Sequence, residues 1–155
     1  MVLFILKLIV ALVILALALG FFRTWQVEHS ENQKKFAAGH APSKALDGLY
    51  KGSVNTPVKV TWIGKKFNAA SSTGINVFED GASSTAERYP FATSLGLSGS
   101  TTVLNISYDH SENPFWIRPI LDQLVEVAPD EYLGKVTVLI IPGYPFSLGF
   151  FKLSK

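Results

Sequence analysis

The sequence predicts a mainly β fold, an eight-stranded antiparallel barrel or sandwich with one short helix, preceded by a single N-terminal transmembrane helix. Three observations carry this expectation. Of the 74 apolar residues in the 155-residue chain, 20 fall within the first 22 positions, so the positive mean hydropathy belongs to that segment. The remainder has an ordinary globular composition. Downstream, short stretches alternate apolar and polar residues with period two, and Gly, Pro, Asn and Asp punctuate them at intervals of about 10–15 residues.

Charge and composition exclude several functional classes. Fourteen Lys and Arg against twelve Asp and Glu leave a formal charge of +2. No basic cluster exceeds two residues, so no nucleic-acid partner is expected. Charged residues make up 17% of the chain, too many for a polytopic membrane protein. The absence of cysteine removes disulfides, thiol catalysis and cysteine-based metal sites.

The first element, residues 1–23, reads as a signal anchor. Val2 to Phe22 is apolar except for Lys7 and Gly20, and about 20 such residues suffice to cross the hydrocarbon. The Lys7 stem can carry its ammonium back to the interface, and Arg23 and Trp25 supply the charge and amphipathic ring typical of the other boundary. A cleavable secretory signal is the rival, with Leu8 to Leu15 as its apolar core and Ala16-Leu17-Ala18 as the cleavage site. Apolar residues on both sides of those limits favour retention. The positive-inside count sets Lys7 and the terminal amine against Arg23, Lys34 and Lys35, favouring a cytoplasmic domain. Short anchors often leave their amino end inside, and an extracytoplasmic domain is the expectation.

Residues 24–45 follow as a helical extension and linker. Glu31 and Lys35 have the spacing of a helical ion pair, so the helix is expected to continue to Gly39 as its C-cap and to stop before Pro42. Lys34 and Lys35 read as a solvated charged face within reach of lipid headgroups. Gly39 to Lys44 reads as a tether.

Residues 46–155 form the β domain. The expected strands are Gly48–Val54, Val58–Ile63, Ile75–Phe78, Arg88–Thr93, Thr101–Tyr108, Leu124–Ala128, Tyr132–Ile141 and Phe146–Leu153. The fifth alternates most clearly, with Leu104, Ile106 and Tyr108 on one face. Between the fifth and sixth, Pro119 followed by Ile120, Leu121, Leu124 and Val125 suits one or two helical turns. Pro129-Asp130-Glu131 marks a hairpin, and Pro142-Gly143 has the residues of a type II turn. Closure into a barrel would remove exposed edges.

Gly48-Leu49-Tyr50 resembles the G-x-W opening of lipocalins and other calycins, with Tyr in place of Trp. Trp62-Ile63-Gly64-Lys65-Lys66-Phe67, Tyr108-Asp109, Pro119-Ile120-Leu121-Asp122 and Tyr132-Leu133-Gly134-Lys135 are similar, in order, to the pattern of the bacterial GXWXG and DUF4334 type proteins. The islands span Leu46 to Val138. The resemblance implies a calycin-like barrel, and calycins in general carry hydrophobic small molecules.

Three functional readings emerge. The aromatic residues, Tyr50, Trp62, Tyr108 and Trp116 foremost, are expected to line an apolar cavity, with Arg118 meeting any anionic headgroup. The same residues would equally fill a solid core, which suits an accessory subunit of a larger membrane complex. The third reading is an enzyme using Asp109, His110 and Arg118 as acid, base and anion clamp, set against the plainer one of turn residues and an Arg118–Asp122 helical pair. His29, His40 and His110 lie too far apart to suggest a metal site. No cofactor is expected. Gly96-Leu97-Ser98-Gly99-Ser100 lacks the Lys and helix of a phosphate loop, and the sequon Asn105-Ile106-Ser107 lies within a strand. The expected partners are the lipid bilayer, a hydrophobic small molecule and membrane-complex subunits.

Overall fold

A computed structural model describes residues 1–56 and 59–155. Helices α1 (Val2–Glu28) and α2 (Glu31–Ala38) precede eight strands: β1 (Gly48–Val54), β2 (Trp62–Asn68), β3 (Thr73–Glu79), β4 (Thr85–Ser98), β5 (Thr101–Ser107), β6 (Ile120–Ala128), β7 (Glu131–Ile141) and β8 (Tyr144–Ser154). Each strand pairs antiparallel with the next, and β1 closes on β8 from Lys51↔Ser154 to Val54↔Phe151. The fold is a closed eight-stranded up-and-down barrel with no free edge. Of the expected span Val58–Ile63, Trp62 and Ile63 belong to β2, and Val58, with Pro57 before it, lies outside the described residues.

Turn chemistry sets the registers. Pro142-Gly143 links β7 to β8, with Ile141 paired to Tyr144 and Gly143 at φ 78°, where an L side chain would be strained. Asp130, at φ 58°, closes the β6–β7 hairpin. Because the strands alternate in direction, the connections after β1, β3, β5 and β7 gather at one end of the barrel. Those after β2, β4 and β6 gather at the other.

The expected helix over Ile120 to Val125 is strand β6. Ile120 and Leu124 pack into the barrel, whereas Val125 is buried on the outside beneath Phe36 of α2. A strand covered on both faces has apolar neighbours in sequence and loses its period-two signature, which imitates helical spacing.

The interior is packed at the end bearing the β2–β3 and β6–β7 turns. Tyr50 meets Phe67 and Tyr132 edge to face, with Ile106, Leu124 and Leu153 fully buried beside them. A second cluster lies outside the barrel, where Phe36 is 1% exposed against Val103, Val125 and Leu133.

The helix is broken rather than continuous. Ser30 caps α2, its hydroxyl donating to the Val27 carbonyl and accepting from the Gln33 N–H. Glu31 pairs with Lys34 at 2.6 Å instead of Lys35. Gly39 ends α2 with an extended backbone, and a Cβ there would come within 2.9 Å of Val125 and the Glu126 carbonyl, so close approach explains the glycine. The stretch read as a tether is docked. His40 and Glu126 exchange backbone hydrogen bonds, and the Glu126 carboxylate accepts from the Ser43 N–H and hydroxyl, both at 2.7 Å. These two bonds hold the Glu126 carboxyl below the usual carboxylate range.

The C-terminal part of α1 also lies on the barrel. Gly20 and Phe21 meet Phe146, Arg23 Nε donates to the Leu148 carbonyl at 2.7 Å, and Thr24 Oγ1 accepts from the Ser147 N–H. Glu28 receives Ser147 Oγ at 2.6 Å and Lys135 Nζ at 3.3 Å. Residues 2–19 extend away from the domain, all exposed except Leu17. This helix is long and apolar enough to cross a membrane.

Candidate functional site

The interior opens into a cavity of about 240 Å³ at the end bearing the connections after β1, β3, β5 and β7. Apolar side chains form its walls, among them Val54, Phe78, Ile117, Ile120, Val136 and Phe151. Four polar residues form its floor: Lys65 from β2, Asn76 from β3, Tyr108 just after β5 and Asp122 from β6. Lys65, Asn76 and Asp122 occupy interior positions of their strands and Tyr108 follows the end of β5, so closure of the sheet brings together residues that lie up to 57 positions apart in sequence.

Two irregularities shape the walls. A bulge between Trp62 and Gly64 shifts the β2–β3 register. A second skips Tyr89 between Ile75↔Pro90 and Asn76↔Arg88. Tyr89 adopts φ 61°, a left-handed conformation costing an L residue about 1–2 kcal/mol. The bulge lays its ring against Phe78 at the cavity wall and turns its carbonyl to accept from Asn76 Nδ2 at 3.3 Å. Bulges of this kind re-aim side chains beside functional sites.

Lys65 is almost wholly buried, and its three donors go to Asp122 Oδ2 at 2.9 Å, Asn76 Oδ1 at 3.0 Å and the Tyr108 hydroxyl. The rings of Trp62, Phe91, Tyr108 and Phe151 surround the ammonium, with centroids 5.0–5.6 Å away. Asn76 is saturated: its Oδ1 accepts from Lys65 and from Trp62 Nε1 at 3.1 Å, and its Nδ2 donates to Tyr89 and to Tyr108. Tyr108 accepts from Lys65 and Asn76 and donates to Asp122 Oδ2 at 3.0 Å. The remaining capacity is Asp122 Oδ1, which accepts no hydrogen bond from the described residues although Asp122 lines the cavity.

The environment governs protonation. Burial lowers the Lys65 pKa from its ordinary value, opposed by the adjacent Asp122 carboxylate. Burial, and then the same carboxylate, raises the Tyr108 pKa well above normal. The Tyr108 phenol therefore stays protonated at neutral pH and can donate to Asp122.

The sequence-derived residues are dispersed. Trp62 and Tyr108 reach the cavity. Tyr50 lies in the packed end, 4% exposed, and Trp116 projects from the β5–β6 loop, 62% exposed, with Phe115 against it. Arg118 turns back onto that loop, Nε donating to the Asn113 carbonyl and Nη2 to that of Ser111. The Asp109 N–H donates to Ser107 Oγ and His110 Nδ1 accepts from the Glu112 N–H, and among the described residues no side-chain hydrogen bond or ion pair joins Asp109, His110 and Arg118. Asp122 pairs with Lys65 and not with Arg118. Among the described residues, no group of three His, Asp or Glu could hold a metal.

Sequence reasoning missed Lys65, Asn76, Asp122 and Tyr89. The available signal was parity: Lys65 shares a face with Phe67, Asn76 with Phe78, and Asp122 with Leu124. A wider groove of about 730 Å³ outside the barrel, between α2 and β1, β7 and β8, has only exposed lysines, Lys35, Lys51 and Lys152, among its cationic residues. It lacks such a converging network.

No protein-family model and no curated protein matches the chain. Among solved structures, a protein from Thermomonospora curvata is similar in fold, with a TM-score of 0.57 and 16% identity. The match covers 76% of this chain and 79% of that one. At this identity the likeness concerns the fold alone.

Proposed function

We propose that this protein is a membrane-anchored binding protein whose barrel takes up a small apolar molecule bearing a hydroxyl or similar hydrogen-bond donor. The observation that carries this reading is Asp122 Oδ1, an acceptor that receives no hydrogen bond from the described residues, in a residue at the base of an apolar cavity whose other polar side chains, Lys65, Asn76 and Tyr108, are hydrogen-bonded to one another and to Asp122. Apolar walls with few convergent polar groups characterise small-molecule sites. An open acceptor suits a donor such as an alcohol or phenol. The volume of about 240 Å³ lies below the range of about 300–1,000 Å³ usual for ligand pockets, so the cavity admits a headgroup and the first carbons of a chain. The resemblance to calycin carriers agrees with this reading. An accessory subunit with a filled barrel fits less well, because packing is complete only at the end around Tyr50 and Tyr132.

The test is a titration of the full chain, extracted in mild detergent, with a short prenyl alcohol and with the hydrocarbon of the same skeleton. Trp62 lines the cavity and reports occupancy by fluorescence. A hydrogen bond to a carboxylate is worth about 1.5–3 kcal/mol, so the alcohol should bind roughly tenfold to a hundredfold more tightly. Equal affinities, or no response to either compound, would refute the assignment.

A further inference from the structure

The cavity mouth shares its end of the barrel with a ring of exposed apolar side chains. Phe115 and Trp116, 77% and 62% exposed, cap the β5–β6 loop, and Leu139 and Ile140, 47% and 70% exposed, lie near the tip of the β7–β8 hairpin. The Leu139 N–H donates to the Pro119 carbonyl at 2.8 Å, tying the hairpin to that loop. A clustered apolar rim in water is unfavourable and marks a contact surface.

The path of α1 identifies what covers it. The helix runs along β8 in the strand's own direction: Phe21 meets Tyr144 and Phe146, Arg23 meets Leu148, and farther on Phe36 of α2 meets Phe150. Its N-terminal part therefore leaves the barrel past the β7–β8 tip, on the side of the rim and the mouth. Residues 2–19 then project roughly 27 Å at 1.5 Å per residue, close to the thickness of a bilayer's hydrocarbon core. Buried Thr24 and Val27 and the Glu28–Lys135 ion pair fix this direction. Were the apolar helix to enter a bilayer, the rim would meet the same surface, where aromatic residues favour the headgroup region.

We propose that the rim formed by Phe115, Trp116, Leu139 and Ile140 rests in the headgroup layer of the bilayer that holds α1, so that the cavity mouth opens onto lipid rather than onto bulk water. The proposal deepens the binding reading, since it makes the membrane leaflet the source of the ligand. The occupant is the lipid surface itself, and phosphatidylcholine suffices because the contact is apolar and aromatic.

The chain contains no cysteine, so single nitroxide labels can be placed without background. The experiment uses the full chain in phosphatidylcholine nanodiscs, labelled in turn through Trp116→Cys, Ile140→Cys and Leu95→Cys, all exposed positions. Leu95 lies toward the β4–β5 turn at the opposite end and serves as the aqueous reference. Collisional relaxation should favour oxygen over a water-soluble nickel chelate at 116 and 140, with the ratio inverted at 95. Chelate access at 116 and 140 equal to that at 95 would overturn the proposal, as would protection of both by a protein partner in the absence of lipid. Uptake of the prenyl alcohol by the same preparations is read separately. Lipid contact without uptake sinks the binding reading alone, and uptake with aqueous labels sinks the rim contact alone.

Discussion

Replacing Lys65 by Met removes the ammonium while keeping most of the side-chain volume, and the structure specifies what is left behind. Asp122 Oδ2 keeps only Tyr108, Asn76 Oδ1 keeps only Trp62, and the Tyr108 hydroxyl keeps Asn76 as its sole donor. The neutral losses amount to about 1 kcal/mol each, whereas an unpaired buried carboxylate costs about 3–5 kcal/mol and dominates. Lys65→Met should therefore melt well below the parent chain. The double variant Lys65→Met/Asp122→Leu should be more stable than the single one, since replacing both partners of a buried pair is often neutral or better. Thermal melts of the parent, the two single variants and the double variant in detergent, followed by circular dichroism, complete the cycle. A Lys65→Met variant within about 1 kcal/mol of the parent would refute the account of the floor as a closed, buried network.

Two further expectations concern the barrel and its helix. Burial pushes the Tyr132 pKa to about 12, and a raised folded value means stability that is present below the ordinary tyrosine value of about 10 and lost as pH rises toward 12. The melting temperature should fall across that window, with tyrosinate absorbance from Tyr132 appearing only near its top. Phe36→Ala removes the side chain that clamps α2 over Val103, Val125 and Leu133, and should cost about 3–5 kcal/mol. Hydrogen exchange should show the added opening first around α2 and the outer face of β6.

Much of the fold is legible in the residue pattern. Leu104 and Ile106 share one face of β5 and point inward, and Tyr108 continues that alternation just past the strand end. Pro142 and Gly143 turn the chain where their backbone preferences demand it. Elsewhere, local patterns mislead for identifiable reasons. β6 imitates a helix because α2 covers its outer face, and α2 separates from α1 at the Ser30 cap, beyond which Phe36 packs on the barrel. The candidate site is less legible still. In the densest polar and aromatic stretch of the sequence, Tyr108 to Arg118, only Tyr108 joins the floor network, while Asp109, His110 and Arg118 bond close to their own loop and Asn113 Nδ2 ties it to the Pro90 carbonyl of β4. The converging residues instead stand singly in three strands and a loop start.

Sequence alone determined what depends on neighbours along the chain: an apolar segment long enough to span a bilayer, most of the strands, and the turns at Pro129-Asp130-Glu131 and Pro142-Gly143. The tertiary structure decided everything that depends on closure. A charged residue at an inward position is unfavourable by local criteria, and only the closed barrel supplies Lys65 with Asp122, Asn76 and Tyr108 from other elements. Docking of α1 along β8 then sets the cavity mouth on the side from which the apolar helix departs, a direction that strand periodicity cannot encode.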